Sequence, residues 1–163
     1  MHTELIRQSY RPSHIRLLLV GESPPASKKF FYVKSAMTKH TAQAFKKAHG
    51  ASFRDDEDFL HYFKRCGCYL DDLCHNPVDD LSKPKREERL KASIDGLAQR
   101  IREMNPSVLA IALKRIERYV QVAVHRSGRQ PRVFVLPFAG NGHQTKYVDQ
   151  LREILCTYVP AKT

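Results

Sequence analysis

No stretch of this sequence approaches the roughly 20 consecutive apolar residues that a membrane-spanning helix needs. The longest apolar run, Ile15 to Val20, is interrupted by Arg16. The amino-terminal residues lack the signal-peptide order of charge, apolar region and small-residue cleavage site. These absences predict a soluble, cytoplasmic chain without a membrane partner. Internal repeats, low-complexity segments and linkers are missing too. The 163 residues therefore read as a single domain over 1–163, long enough to bury a core. Cysteine is scarce, at Cys66, Cys68, Cys74 and Cys156. Three of these lie close together beside His75, but the first spacing is Cys-x-Cys and no second pair follows, unlike a metal knuckle. Buried thiols without metal or disulfide are expected. Carboxylates are also in short supply. Asp and Glu number 17 against 28 Lys and Arg, a net charge of +11. Such a surplus on a small domain attracts polyanions, nucleic acid first, through phosphate contacts and counterion release.

What is present is an alternation of apolar runs and amphipathic stretches. Ile15 to Val20 reads IRLLLV and stops at Gly-Glu-Ser-Pro-Pro, the mark of a buried parallel strand. Helical patterns over Thr38 to His49 and Asp55 to Arg65 precede a short strand, Tyr69 to Leu73. Residues 79 to 86, with Pro84, read as a loop. Leu90, Ile94, Leu97 and Ile101 then line one face of a helix from Glu87 to Met104, stopped by Asn105-Pro106. Ser107 to Leu113 predicts a third strand, Ile116 to His125 a helix, Val133 to Leu136 a fourth strand and Lys146 to Tyr158 a closing helix. This order predicts an α/β fold: a three-layer α/β/α sandwich around a central, mostly parallel four-stranded sheet. Ligands of such sheets bind at the carboxyl ends of the strands.

Four segments resemble the uracil-DNA glycosylase superfamily, especially its mismatch-specific and thymine-DNA glycosylase branch. LLLVGESPP is similar to the first motif, a strand followed by a Gly-x-x-Pro loop. GCYLDDLCHNPV resembles the second strand, LAQRIREMNPSVLAIAL the helix, Pro turn and third strand, and VFVLPFAGNGH the place of the second motif. The closing helix YVDQLREIL fits as well. The resemblance implies a uracil-DNA glycosylase-like domain that binds DNA, as a single strand or a mismatched duplex, and hydrolyses the N-glycosidic bond of a flipped base. It implies a monomer and no cofactor. The four cysteines do not match the spacing of the superfamily's iron–sulfur branches, which need four gathered thiolates.

The resemblance assigns roles residue by residue, with departures. Where the family's first motif has an Asp or Asn, this chain has Ser23, a poor base near neutrality. Glu22 is the one carboxylate of that loop, and the expectation is that it orients the water. Where the second motif has His or Asn, this chain has Phe138. His143, five residues on, is the candidate to face the departing base. Gly21, Phe31, Asp72, Phe138 and Asn141 are the expected base-binding residues, with Phe31 stacking on the base. Asp71 and Asp72 are consecutive on a strand, so only one faces the pocket. Lys28, Lys29, Lys146, Gln144 and the glycines Gly140 and Gly142 are expected to contact DNA, the glycines by letting backbone approach closely. An alternative from another class is a module that binds nucleic acid or nucleotide on the same fold without hydrolysis.

Overall fold

The computed structural model describes residues 2–163. Strands β1 (Leu17–Gly21), β2 (Cys68–Asp72), β3 (Val108–Ile111) and β4 (Arg132–Val135) form one sheet in the order β2-β1-β3-β4. Every pairing is parallel. The first three strands are buried along their whole length, β1 and β3 as continuous apolar runs and β2 with Asp71 and Asp72 at its end. The edge strand β4 is half-buried and opens on the exposed Arg132.

The helices α2 (Ala36–His49) and α3 (Asp56–Arg65) connect β1 to β2. α4 (Lys83–Ala92) and α5 (Ile94–Met104) connect β2 to β3, α6 (Glu117–Ser127) connects β3 to β4, and α7 (Gln144–Tyr158) closes the chain. The first crossover steps outward from β1, whereas the second passes back over it. Right-handed crossovers therefore place α2 and α3 on one face and α4 to α6 on the other. The packing agrees: α2 lies against α7, and α5 against α6. The three-layer α/β/α sandwich expected from the alternation is the fold observed, with a sheet that is entirely parallel.

Two local expectations are corrected. The helix expected over 87–104 is two helices meeting at Ser93, whose hydroxyl donates to the Arg89 carbonyl. The segment 79–86, expected as a loop, turns helical at Lys83. Pro84 sits in the first turn, where a missing N–H leaves no intrahelical bond unmade. A further helix, α1 (His2–Ser9), has no apolar signature in the sequence because the side chain it buries is Arg7. That guanidinium is 1 % exposed, donates to Asp72 Oδ2 at 2.9 Å and to the Leu70 carbonyl at 3.3 Å, and lies 3.8 Å from Asp71 Oδ1.

Candidate functional site at the carboxyl edge of the sheet

In the strand order observed, the crossovers diverge between β1 and β3. A crevice opens there, outside the carboxyl ends of the strands. It holds a cavity of about 490 Å³, within the range of small-molecule sites. Its walls come from the loop after β1 (Gly21, Glu22, Ser23), the aromatic segment (Phe30, Phe31), the end of β2 (Asp72), the loop after β3 (Arg115) and the loop after β4 (Phe138, Gly140). Lys29 and Lys34 also line it. Parallel register puts Gly21 beside Asp72. A Cβ at Gly21 would fall 2.5 Å from Asp72 Oδ1, so the absence of a side chain is what lets the carboxyl lie across the strand end.

The two acidic residues of β2 face different partners. Asp71 is buried behind the cavity wall and accepts from Arg100 Nε at 2.7 Å and His75 Nε2 at 2.8 Å. Burial alone would raise its pKa. The His75 hydrogen bond and the charges of Arg100 and Arg7 outweigh that effect and hold the carboxyl well below the usual carboxylate range. Asp72 lines the cavity. Its Oδ2 is taken by Arg7, while Oδ1 has no donor among the described residues. Burial pushes the Asp72 pKa up, and the shared Arg7 does not fully offset it. Asp71 lies beside Asp72 and near the same guanidinium, and its charge also works against the charged form of Asp72.

Glu22, 9 % exposed, is held from two sides. Arg115 donates Nε to Oε2 and Nη2 to Oε1, each at 2.9 Å, and Arg86 Nη2 also donates to Oε1. Ser23 Oγ accepts from the Val78 N–H at 3.3 Å and ties the loop after β1 to the loop after β2. Phe31 is 95 % buried, with its ring edge-on to Tyr32 at 5.1 Å and tilted on Phe63 at 5.3 Å. It reaches the cavity as part of the core wall. Phe138 is the exposed aromatic of the site at 46 %. Its ring folds over Gly140, where a Cβ would meet it at 2.9 Å.

Of the residues singled out in the sequence, the cavity gathers Gly21, Glu22, Ser23, Lys29, Phe31, Asp72, Phe138 and Gly140. His143 is not among its lining residues. It is exposed at the start of α7, its N–H donates to the Gly140 carbonyl at 3.0 Å, and its carbonyl accepts from Tyr147 N–H. The expected convergence of His143 with Glu22 is therefore corrected: the turn through Asn141 (φ 53°) and Gly142 (φ 84°) starts the helix and leads the chain away. Asn141, Gly142, Gln144 and Lys146 follow the same turn and lie outside the cavity. Lys28, exposed and at φ 65°, also lies outside, beside His75 and Pro77.

Sequence reasoning missed the two arginines on Glu22. Arg86 was hidden in a segment read as loop. Arg115 directly follows a buried strand, and a basic pair at that place, Lys114-Arg115, was the available signal. The four cysteines are free, three buried and Cys156 exposed. Burial pushes the Cys66 and Cys68 thiols up. Among the described residues, no group of three or more His, Cys, Asp or Glu is gathered for a metal ion, and no helix is long and apolar enough to cross a membrane.

Fold and site together define a doubly wound α/β domain with an open cavity of mixed polarity at its topological switch point. No protein-family model matches the chain, and no curated protein matches it. Since a fold does not by itself fix an activity, function must be argued from the cavity.

Proposed function

We propose that the cavity receives a nucleobase turned out of a DNA strand, and that the protein is a uracil-DNA glycosylase-like hydrolase of the N-glycosidic bond. The observation that carries this reading is the convergence of Glu22, Phe31, Asp72 and Phe138, from four separate segments, on one cavity of about 490 Å³. Each wall has a use. Phe138 offers an aromatic face at the mouth. The Oδ1 atom of Asp72 offers a hydrogen bond to a base edge, as donor when protonated and acceptor when ionised. Lys29, Lys34 and Arg115 make the rim cationic toward phosphates.

In hydrolysis, a water oxygen bonds to the sugar carbon as the bond to the base nitrogen breaks. The electron pair leaves with the base, and the proton that the water gives up ends on the departing base. A carboxylate has about four acceptor positions, and three of those on Glu22 are filled by Arg115 and Arg86. The remaining one suits it to hold and orient water. This is the demand of a reaction whose sugar becomes cationic before the nucleophile closes. The same clamp occupies acceptor positions on Glu22 that taking up a proton would need. Together with the position of His143, it favours a second reading: a cavity that recognises a base in nucleic acid without cleaving it. Both readings take the protein to be a monomer working in the cytoplasm, where free thiols such as its four cysteines stay reduced.

The deciding experiment is base release from oligonucleotides carrying uracil, hypoxanthine, xanthine, or a G·U or G·T mismatch, single- and double-stranded. Release by the wild type, lowered about 100-fold or more in Glu22→Gln, is the expected result. Saturable, salt-sensitive binding with no release on the whole panel would leave the recognition reading in place of the enzyme. A wild type that neither binds nor cleaves any of them would overturn both.

A further inference from the structure

Glu22 also lines a second hollow, of about 410 Å³. Its other walls include Lys83 and Arg86 of α4 and Arg115 and Arg118 around the start of α6. Four cations thus face two carboxylates, Glu22 and Glu87. Their hydrogen-bonding capacity is far from used. Arg115 spends Nε and Nη2 on Glu22, which leaves Nη1 open. Arg86 spends only Nη2, and its Nε is buried without any partner. Arg118 lies on the Tyr119 ring, 4.7 Å from its centroid, and bonds the Tyr119 hydroxyl with Nη2 alone. Lys83 has no acidic partner among the described residues. The open Arg115 Nη1 and the uncommitted donors of Arg118 and Lys83 are what the hollow offers to an anionic acceptor.

The backbone adds to the same field. α4 opens at this hollow with no side-chain cap on Ser82 and no acidic residue in its first turn. Its positive end is therefore uncompensated. Glu22 does not serve as that compensation, because it is already neutralised by the two guanidiniums it separates. Its carboxylate fixes Arg86 and Arg115 at the wall of the hollow.

We infer that this hollow is a phosphate-binding site, built by Lys83, Arg86, Arg115 and Arg118, for the backbone of the strand whose base enters the neighbouring cavity. It rests on the nucleobase reading of that cavity, and Glu22 and Arg115 line both. Guanidinium pairs bind phosphate oxygens in bidentate fashion, and Arg118 stacked on Tyr119 is presented without loss of flexibility on binding. The site differs from the Lys28, Lys146 and Gly142 contacts expected from the sequence, and it directs the strand across α4 and the start of α6 rather than over α7.

The test uses the double variant Lys83→Ala/Arg118→Ala, which leaves the clamp on Glu22 in place, beside Phe138→Ala, which alters only the cavity mouth. Affinity for a ten-nucleotide single strand is measured against salt, alongside binding of an unphosphorylated nucleoside and the corresponding 5′-monophosphate. The Arg86 and Arg115 Nε–H signals are followed by NMR in the same titrations. The double variant is expected to bind the strand at least about tenfold more weakly and to lose about 1.4 from the salt slope, for two single-strand phosphate contacts. Nucleoside binding should stay unchanged, and the Arg86 Nε–H signal should move with strand or monophosphate but not with nucleoside. A monophosphate as sensitive as the strand to the double variant would support the site and identify a single terminal phosphate as its ligand. Unchanged strand affinity and slope in the double variant, with strand or nucleoside binding still weakened by Phe138→Ala, would overturn the phosphate site and spare the cavity. A strand that depends on Lys83 and Arg118 while the nucleoside ignores Phe138→Ala would do the reverse.

Discussion

At Gly21 the chain has no room for a side chain, and this one position sets the chemistry of the cavity wall. A methyl group there would meet Asp72 Oδ1 at 2.5 Å, and both residues sit on paired, buried strand ends that cannot shift freely. Gly21→Ala should cost about 1–3 kcal/mol, the usual range for overpacking. It should also abolish nucleoside binding by rotating Asp72 off the wall. Urea unfolding and a nucleoside titration check the two effects separately. Full nucleoside affinity in a folded Gly21→Ala protein would show that Asp72 is not a ligand contact. Asp71 controls acid stability instead. Its folded-state pKa is depressed, so its contribution is present above the ordinary carboxylate value of about 4 and is lost as pH falls from there toward the depressed value. Removing the hydrogen bond from His75 raises the Asp71 pKa in the folded state. His75→Ala should therefore unfold at higher pH than the wild type in an acid titration followed by circular dichroism. Identical acid midpoints would show that His75 does not hold Asp71 ionised.

The elements differ in what fastens them to the molecule. α2 and α7 bury Phe45, Val148, Leu151 and Leu155 against the sheet, and α5 buries Leu97 and Ile101. Their docking is apolar and follows from helical spacing. α1 docks by charge. Arg7 is the residue it buries, and beyond Glu4 of the same helix its hydrogen-bond and ion-pair partners are on β2. A buried guanidinium that balances two carboxylates is costly to remove, because the carboxylates stay behind without it. Arg7→Met should destabilise the protein by about 3–5 kcal/mol. Arg7→Met combined with Asp72→Asn should recover part of that loss, which a double-mutant cycle in urea would measure. Additive losses would mean that Arg7 and Asp72 do not stabilise one another. The break at Ser93 belongs to this scale as well. The apolar positions Leu90, Ile94, Leu97 and Ile101 keep their spacing across it, so the sequence shows one continuous face. The break itself is visible only in the Ser93 hydrogen bonds to the Arg89 and Leu90 carbonyls.

For the molecule as a whole, the distribution of thiols gives a direct test of the fold. Cys66, Cys68 and Cys74 are buried and Cys156 is exposed, all of them free. One thiol should react rapidly with a disulfide reagent in the native state, and all four in denaturant. Two or more fast native thiols would contradict the packing of β2. The sequence alone determined the alternation of elements, the parallel sheet and the glycine-proline loop at the end of β1. These follow from local periodicity and from the short list of ways in which alternating strands and helices can pack. Glu22 could be singled out because it stands at a strand end, where a doubly wound sheet opens, whereas Asp72 and Phe138 are singled out through the family resemblance. Only the tertiary structure decided which partners those residues have. Arg7 lies 65 positions from Asp72, and Arg115 lies 93 positions from Glu22. Pairing over such distances depends on the strand order and on the hand of the crossovers, which leave no periodic trace in the chain. The same holds for His143, close to Phe138 in sequence but turned away by the two positive-φ residues that open α7.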